Sequence, residues 1–107
     1  MVKNETAKKI KQVKFIKNNG AVLRTVNLLR YQFVKMTDAL YATELDESAF
    51  LDSVNYLVES GYVQLRDAKS KVAVNISDKG IELIEGKLTD KGIKLLAGVI
   101  TDELIDV

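Results

Sequence analysis

The segment DESAFLDSVNYLVESGYVQLR, residues 46–66, joins a helix to a strand and decides the fold. Asp46 is a good helix N-cap, because its side chain can accept a hydrogen bond from a free amide of the first turn. The apolar residues that follow at helical spacing are Phe50, Val54, Leu57 and Val58. Gly61 can take the left-handed conformation that ends a helix. The alternation over residues 62–66 then predicts a strand.

Two further elements follow this junction. A polar turn over residues 67–70 leads into alternating residues 72–76, which predict the second strand of a hairpin. Farther on, TDKGIKLLAG, residues 89–98, predicts a helix over 90–97, with Thr89 as its cap and Gly98 at its end.

The same pattern occurs twelve residues earlier, as SDKGIELIEG over residues 77–86. This first copy fits either a short helix or a strand over 81–88, and we favour the strand.

The N-terminal third predicts helices. Residues 4–18 form a helix capped by Asn4 and ended by the Asn-Asn-Gly sequence at 18–20. One face of this helix carries Ala7, Ile10, Val13 and Ile16. A second helical stripe consists of Val22, Val26, Leu29, Phe33, Met36 and Leu40. The pattern leaves open whether this helix continues through residues 37–38 or restarts there as a short helix over 39–43.

Length and composition narrow the class of protein. A chain of 107 residues with 47% hydrophobic residues predicts a single domain, residues 1–107. It has no His, Cys, Trp or Pro, which excludes disulfides, thiolate nucleophiles, imidazole bases and most transition-metal sites. We therefore expect a protein that is not an enzyme and uses no cofactor or metal.

Charge is unevenly distributed along the chain. Residues 1–36 carry nine cations against Glu5 alone, a net charge of +8, whereas residues 37–61 carry six anions and no cation. The remaining residues sum to −1, so the total of +1 hides this asymmetry. Asymmetry of this kind is informative about binding partners.

Membrane and export signals are not expected. The sequence has no run of about 18 apolar residues that could span a bilayer. Its N-terminus lacks the apolar core and cleavage site of a signal peptide. The expectation is a cytoplasmic protein without a membrane partner.

The order of elements, three helices, a hairpin and a helix, is typical of winged helix-turn-helix proteins. YLVESGYV, residues 56–63, resembles the junction between the third helix and the wing in that family, and LTDKGIKLLAG, residues 88–98, resembles the segment after the wing. The ending VITDELIDV, residues 99–107, resembles that of small winged-helix proteins from phage and prophage regions.

The resemblance implies a fold that is mainly α with a small antiparallel β wing. Its parts would be the basic helix 4–18, a helical core over 21–61, the wing and last helix over 62–98, and a tail over 99–107. It also implies a regulatory protein that binds double-stranded DNA.

Three groups of residues are candidates for DNA contact. On the basic helix they are Lys8, Lys11, Lys14 and Lys17, of which Lys8 and Lys11 are expected to lie away from the Ile10 face. On the third helix they are Ser48, Asn55 and Tyr56. Around the hairpin tip they are Arg66, Lys69 and Lys71. Contacts of this kind would be mainly to phosphates, because the third helix has no Lys or Arg.

The acidic third helix also suggests an alternative class of function. Its exposed carboxylates, with Asp52 and Glu59 as the candidates, would dock a basic protein partner. In a homodimer, the basic segment of one copy would instead pair with the acidic segment of another.

Overall fold

The computed structural model describes residues 2–107, with side chains from Glu5 onward. The α-helices of this part of the chain are α1 (Val2–Val26), α2 (Met36–Thr43), α3 (Glu47–Glu59) and α4 (Asp90–Leu96). The strands are β1 (Val34–Lys35), β2 (Val63–Asp67) and β3 (Ile84–Leu88), with a 3₁₀ helix at Ile81–Leu83. The chain therefore has an α+β fold, in which an antiparallel sheet of order β1-β3-β2 packs with four helices.

The core lies between the second half of α1, α2, α3 and one face of the sheet. Its fully buried side chains include Val22, Leu23, Val26, Met36, Phe50, Val54, Leu57, Ile84, Leu88 and Leu95. Complete burial of each large apolar side chain contributes about 1.5–3 kcal/mol. The apolar face predicted for α3 is thus confirmed, although Val58 is only half-buried.

The predicted ends of α3 and α4 are confirmed. Asp46 Oδ1 accepts a hydrogen bond of 2.8 Å from the Ala49 amide, and Gly61 has a φ of +83°. At α4, Thr89 Oγ1 accepts from the Gly92 amide at 3.1 Å. The predicted strand over 81–88 is present as β3, shortened at its start by the 3₁₀ helix.

The predicted end of the first helix at residues 18–20 is wrong, because α1 runs without interruption to Val26. It also begins at Val2, before the predicted cap Asn4. Gly20 lies inside the helix because the C-terminal tail, residues 97–107, passes directly over it. A Cβ atom at Gly20 would collide with the carbonyl oxygen of Asp106. The buried Asn19 side chain holds the same tail by donating to the Leu104 carbonyl at 3.0 Å.

The helical stripe predicted from Val22 to Leu40 is also interrupted. The chain leaves α1 through turns in which Arg30 and Tyr31 have positive φ, and the Tyr31 amide donates to Asn27 Oδ1 at 3.0 Å. The sequence left open whether the helix continues through residues 37–38. The first helix has already ended at Val26, and the new helix α2 begins at Met36. The predicted stripe is therefore not one buried helical face, and its member Leu29 is 51% exposed.

The strand predicted over residues 72–76 is absent, and only an isolated bridge joins Arg66 to Ala73. Asp67 causes the departure, because its Oδ1 accepts from the Lys69 and Ser70 amides and turns the chain away. The partner of β2 is β3 instead, in antiparallel register from Val63 opposite Leu88 to Asp67 opposite Ile84.

The C-terminal tail is anchored to the domain by a shared carboxylate. Asp102 Oδ2 accepts hydrogen bonds from the hydroxyls of Tyr56, at 2.9 Å, and Tyr62, at 2.7 Å. Partial burial opposes ionisation of Asp102, but the Leu104 amide and the two hydroxyls lower its pKa overall. Burial and the neighbouring carboxylate raise the pKa of Tyr62 to about 12.

The contact between Gly20 and the tail predicts the effect of Gly20→Ala. The substitution should lower the free energy of unfolding by about 1–3 kcal/mol, because the added methyl group overpacks the contact. In an unobstructed helix interior it would instead raise stability by about 1 kcal/mol. Urea unfolding measures the difference. In a chain ending at Ile105 the cost should shrink, and an equal cost in both chains would contradict the contact.

The tyrosine–carboxylate cluster predicts a stability that falls on both sides of neutral pH. The lowered pKa of Asp102 contributes stability above its unfolded value, about 4, and this stability is lost as the pH falls below it. The raised pKa of Tyr62 contributes below pH 10, and this is lost as the pH rises toward 12.

Asp102→Asn tests the acidic side of this prediction. It should lower the free energy of unfolding at pH 7 by about 1–3 kcal/mol, since a charge-assisted acceptor of two hydroxyls is lost. Urea titrations from pH 3 to pH 7 should then show a shallower acid loss than in the unaltered protein. Parallel curves for the two proteins would show that Asp102 is not responsible.

Candidate functional site

The N-terminal half of α1 projects beyond the core. Every residue over 5–14 is exposed, and we call this segment the α1 overhang. At a rise of 1.5 Å per residue it extends about 15 Å. It carries Lys8, Lys9, Lys11 and Lys14, and none of these lysines has a carboxylate partner within the part of the chain that the structure describes. The sequence-predicted basic helix is therefore an accessible cationic surface.

The lysines of α1 divide between two sides of the helix. Ile10 and Val13 lie on the side opposite the core-facing Val26, and they remain 52% and 50% exposed. Lys14 and Lys17 line the same apolar groove as Ile10 and Val13, a hollow of about 380 Å³ that also includes Thr6 and Lys9.

Lys8 and Lys11 lie away from that groove, as expected. Helical geometry places them on about the same side of α1 as the residues that face the core farther along the helix. Lys17 instead belongs to the groove, and Lys14 stands between the two sides because it also faces α3.

The outer face of α3 is polar and acidic. Ser48, Asp52, Asn55 and Glu59 are exposed and follow one another at three- or four-residue spacing, so they form a single stripe. Asp52 also lines a hollow of about 390 Å³ between α1 and α3, together with Lys11 and Lys14. The basic and acidic segments of the sequence are thus brought side by side within one chain.

Tyr56 has a role inside the fold. It is half-buried, and its ring meets Phe15 edge-on at a centroid distance of 5.5 Å. Its hydroxyl donates to Asp102. The sequence predicts Tyr56 on the third helix but does not indicate its contact with Asp102, which lies 46 residues away. The Tyr56 hydroxyl is thus engaged within the fold, unlike the exposed side chains of the α3 stripe.

The cations around the β2–β3 connection, residues 68–83, are mostly paired. Arg66 Nε and Lys71 Nζ contact Glu85 Oε1 at 2.6 and 3.0 Å. The Arg66 guanidinium also lies 3.5 Å from the centre of the Phe33 ring. Burial opposes the charged form of Glu85, but Lys71 and Arg66 lower its pKa overall. Arg66 and Lys71 therefore stabilise the sheet and its connection, and the one carboxylate they share offsets part of their positive charge.

Another cation of the connection is also paired with a carboxylate. Lys79 Nζ contacts Asp67 Oδ2 at 2.6 Å. Hydrogen bonds from Lys79 and from the Ser70 amide hold the pKa of Asp67 well below its usual range. Lys69 is exposed, and it is the sequence-predicted cation of this region for which no ion pair occurs among residues 5–107.

A third exposed surface, missed by the sequence patterns, lies where α2 turns into α3. Leu40, Tyr41, Glu44, Leu45 and Glu47 line a hollow of about 330 Å³, and we call these residues the acidic corner. The Tyr41 side chain is 88% exposed. Periodicity could not find it, because Tyr41 simply follows Leu40 of the apolar stripe, and its exposure depends on how α2 packs.

The described residues include no group of three or more acidic side chains placed to hold a metal ion. No helix in this part of the chain is both long and apolar enough to cross a membrane. Comparison with protein-family models, with curated proteins and with solved structures found no match. The surfaces with distinctive chemistry over residues 5–107 are therefore the α1 overhang, the α3 stripe and the acidic corner.

Proposed function

We propose that this chain is a non-enzymatic DNA-binding protein, a winged-helix regulator of phage or prophage type whose binding is dominated by phosphate contacts. The observation that carries the proposal is the α1 overhang, a fully exposed helical segment with four lysines in ten residues. Lysine side chains that are free of carboxylate partners can neutralise phosphates and release their counterions.

The order of elements supports the winged-helix assignment. A strand, β1, precedes the pair α2–α3, and the strands β2 and β3 follow it with a long connection. The β2–β3 connection joins two neighbouring antiparallel strands of the sheet, which is compatible with a wing. The sequence resemblance over residues 56–63 and 88–98 falls on the α3–β2 junction and on α4, so the two lines of support agree.

The charges indicate which residues would contact DNA. Lys8 and Lys11 stand on the same side of α1 as α3, with Lys14 beside them, so a duplex contacting these lysines would also meet the α3 stripe. Ser48 and Asn55 are the uncharged hydrogen-bonding groups of that stripe.

Asp52 and Glu59 in the same stripe repel phosphates. This combination favours backbone contact and weak discrimination between base sequences.

The proposal predicts a steep response to salt. Duplex DNA should bind at about 50 mM salt and weaken strongly by about 200 mM. Replacing Lys8, Lys11 and Lys14 with Ala should reduce the slope of log affinity against log salt by about 2–3, because each phosphate contact contributes about 0.9. Fluorescence anisotropy with a labelled duplex at several salt concentrations measures both quantities.

A variant with Arg30, Lys35 and Lys94 replaced by Ala is the matched control, since it removes the same charge from exposed positions outside α1 and outside the candidate DNA contacts. Its slope should fall by clearly less than that of the α1 variant. Equal losses would show attraction by net charge alone, and no binding at low salt would contradict the proposal.

A second candidate function rests on the α3 stripe, which presents carboxylates and no cation. On that hypothesis the winged-helix scaffold docks a basic protein partner through Asp52 and Glu59. Asp52→Lys and Glu59→Lys should then abolish the complex while circular dichroism and the unfolding midpoint stay unchanged. A complex that survives both substitutions would exclude the stripe as its docking surface.

A further inference from the structure

We infer that two copies of this chain pair reciprocally, with the acidic corner of each copy seated on the Ile10–Val13 groove of the other. The pairing does not depend on the DNA-binding proposal. It uses the side of α1 that carries Lys9 and Lys17, whereas Lys8 and Lys11 lie on the far side of the helix. The proposed occupant of the groove is a second copy of the chain.

The side chains of the α1 overhang are not buried by any part of the chain that the structure describes. All of residues 5–14 are exposed, and isolated helical segments of this length are marginally stable in water. Ile10 and Val13 nevertheless expose apolar surface along the groove on one side of it. Covering this groove would remove apolar surface from water and hold the segment helical.

The acidic corner has complementary chemistry. Tyr41 projects from α2 with 88% of its surface exposed, beside the half-buried Leu40 and Leu45. An aromatic side chain of this size can bury about 150–250 Å² in a contact. The exposed apolar side chains of Ile10 and Val13 give it a surface to pack on.

The charges at the edges of the two surfaces are opposite. Lys9, Lys14 and Lys17 line the groove, whereas Glu44 and Glu47 line the corner. Pairing of two overhangs with each other would instead bring the lysines that line the two grooves together, and this repulsion between like charges is unfavourable. Charge complementarity therefore selects the corner as the occupant of the groove.

The two surfaces cannot meet within one chain. Ile10 and Val13 face away from the side of α1 that packs against α2 and α3, and the corner belongs to those two helices. A second copy is therefore required. In a two-fold pair each contact occurs twice, because an isologous interface uses the same surfaces of both copies.

Light scattering on the full chain tests the pairing. We expect the mass to rise with concentration from 11.9 kDa to twice that value. Lys9→Glu/Lys17→Glu and Glu44→Lys/Glu47→Lys should each stay at the single-chain mass, because both contacts in the pair become repulsive. All four side chains are exposed, and circular dichroism checks that each variant is folded.

Mixing the two variants provides the decisive measurement. In the mixed pair, the acidic groove of one variant meets the basic corner of the other, and the remaining groove and corner keep their original charges. Both contacts are then attractive, so the mixture should return to twice the single-chain mass. A chain that carries all four substitutions should pair with itself for the same reason.

Lys8→Glu/Lys11→Glu is the matched control, because it changes the net charge as much as the groove variant but on the other side of α1. It should pair as the unaltered chain does. The inference is overturned if the unaltered chain keeps its single-chain mass up to the solubility limit. It is also overturned if the groove or corner variant still pairs, or if mixing fails to restore the doubled mass.

Discussion

The close approach of the C-terminal tail to α1 is the constraint on which the rest of the structure depends. Asp106 donates from its amide to the Ile16 carbonyl at 3.2 Å and accepts from Arg24 at 3.0 Å, directly over Gly20. The tail can reach this position only because residue 20 has no side chain. With the tail seated, Asp102 accepts from the hydroxyls of Tyr56 on α3 and of Tyr62 just before β2, and the middle of α1 is covered. The first half of α1 lies beyond this cover and projects.

The parts of the fold that sequence predicts are those with local causes. Asp46 and Thr89 cap their helices through amides three residues away, and Gly61 ends α3 through its own backbone. Gly20 has a distant cause, since the residue that requires it lies 86 positions later, at Asp106. Local rules interpret such a glycine as a helix end.

The repeated Asp-Lys-Gly-Ile sequence makes the same point, because its first copy leads into a strand and its second begins a helix. In the first copy Gly86 lies in β3, where an added Cβ would collide with the side chains of Leu65 in β2 and Met36 in α2.

The candidate site was predictable in composition but not in arrangement. The sequence places lysines near the N-terminus, yet their distribution around α1 depends on which face of the continuous helix is buried. Arg66 and Lys71 look equally available in the sequence, but both form ion pairs with Glu85 from the neighbouring strand. Tyr41 follows a core position and becomes exposed through the orientation of α2. Each of these outcomes depends on contacts between distant segments, which periodicity does not encode.

The separation of charge along the sequence therefore has a structural consequence that the net charge of +1 conceals. One side of α1 presents lysines beside the α3 stripe, and the other presents the apolar Ile10–Val13 groove, which is bordered by lysines. Salt screens phosphate attraction and lysine–carboxylate pairs alike, but it does not weaken the burial of Ile10, Val13 and Tyr41. Association with a polyanion through the first side must therefore be more sensitive to salt than association between copies through the second. A single helix can thus serve two kinds of association, because its two sides depend on different forces.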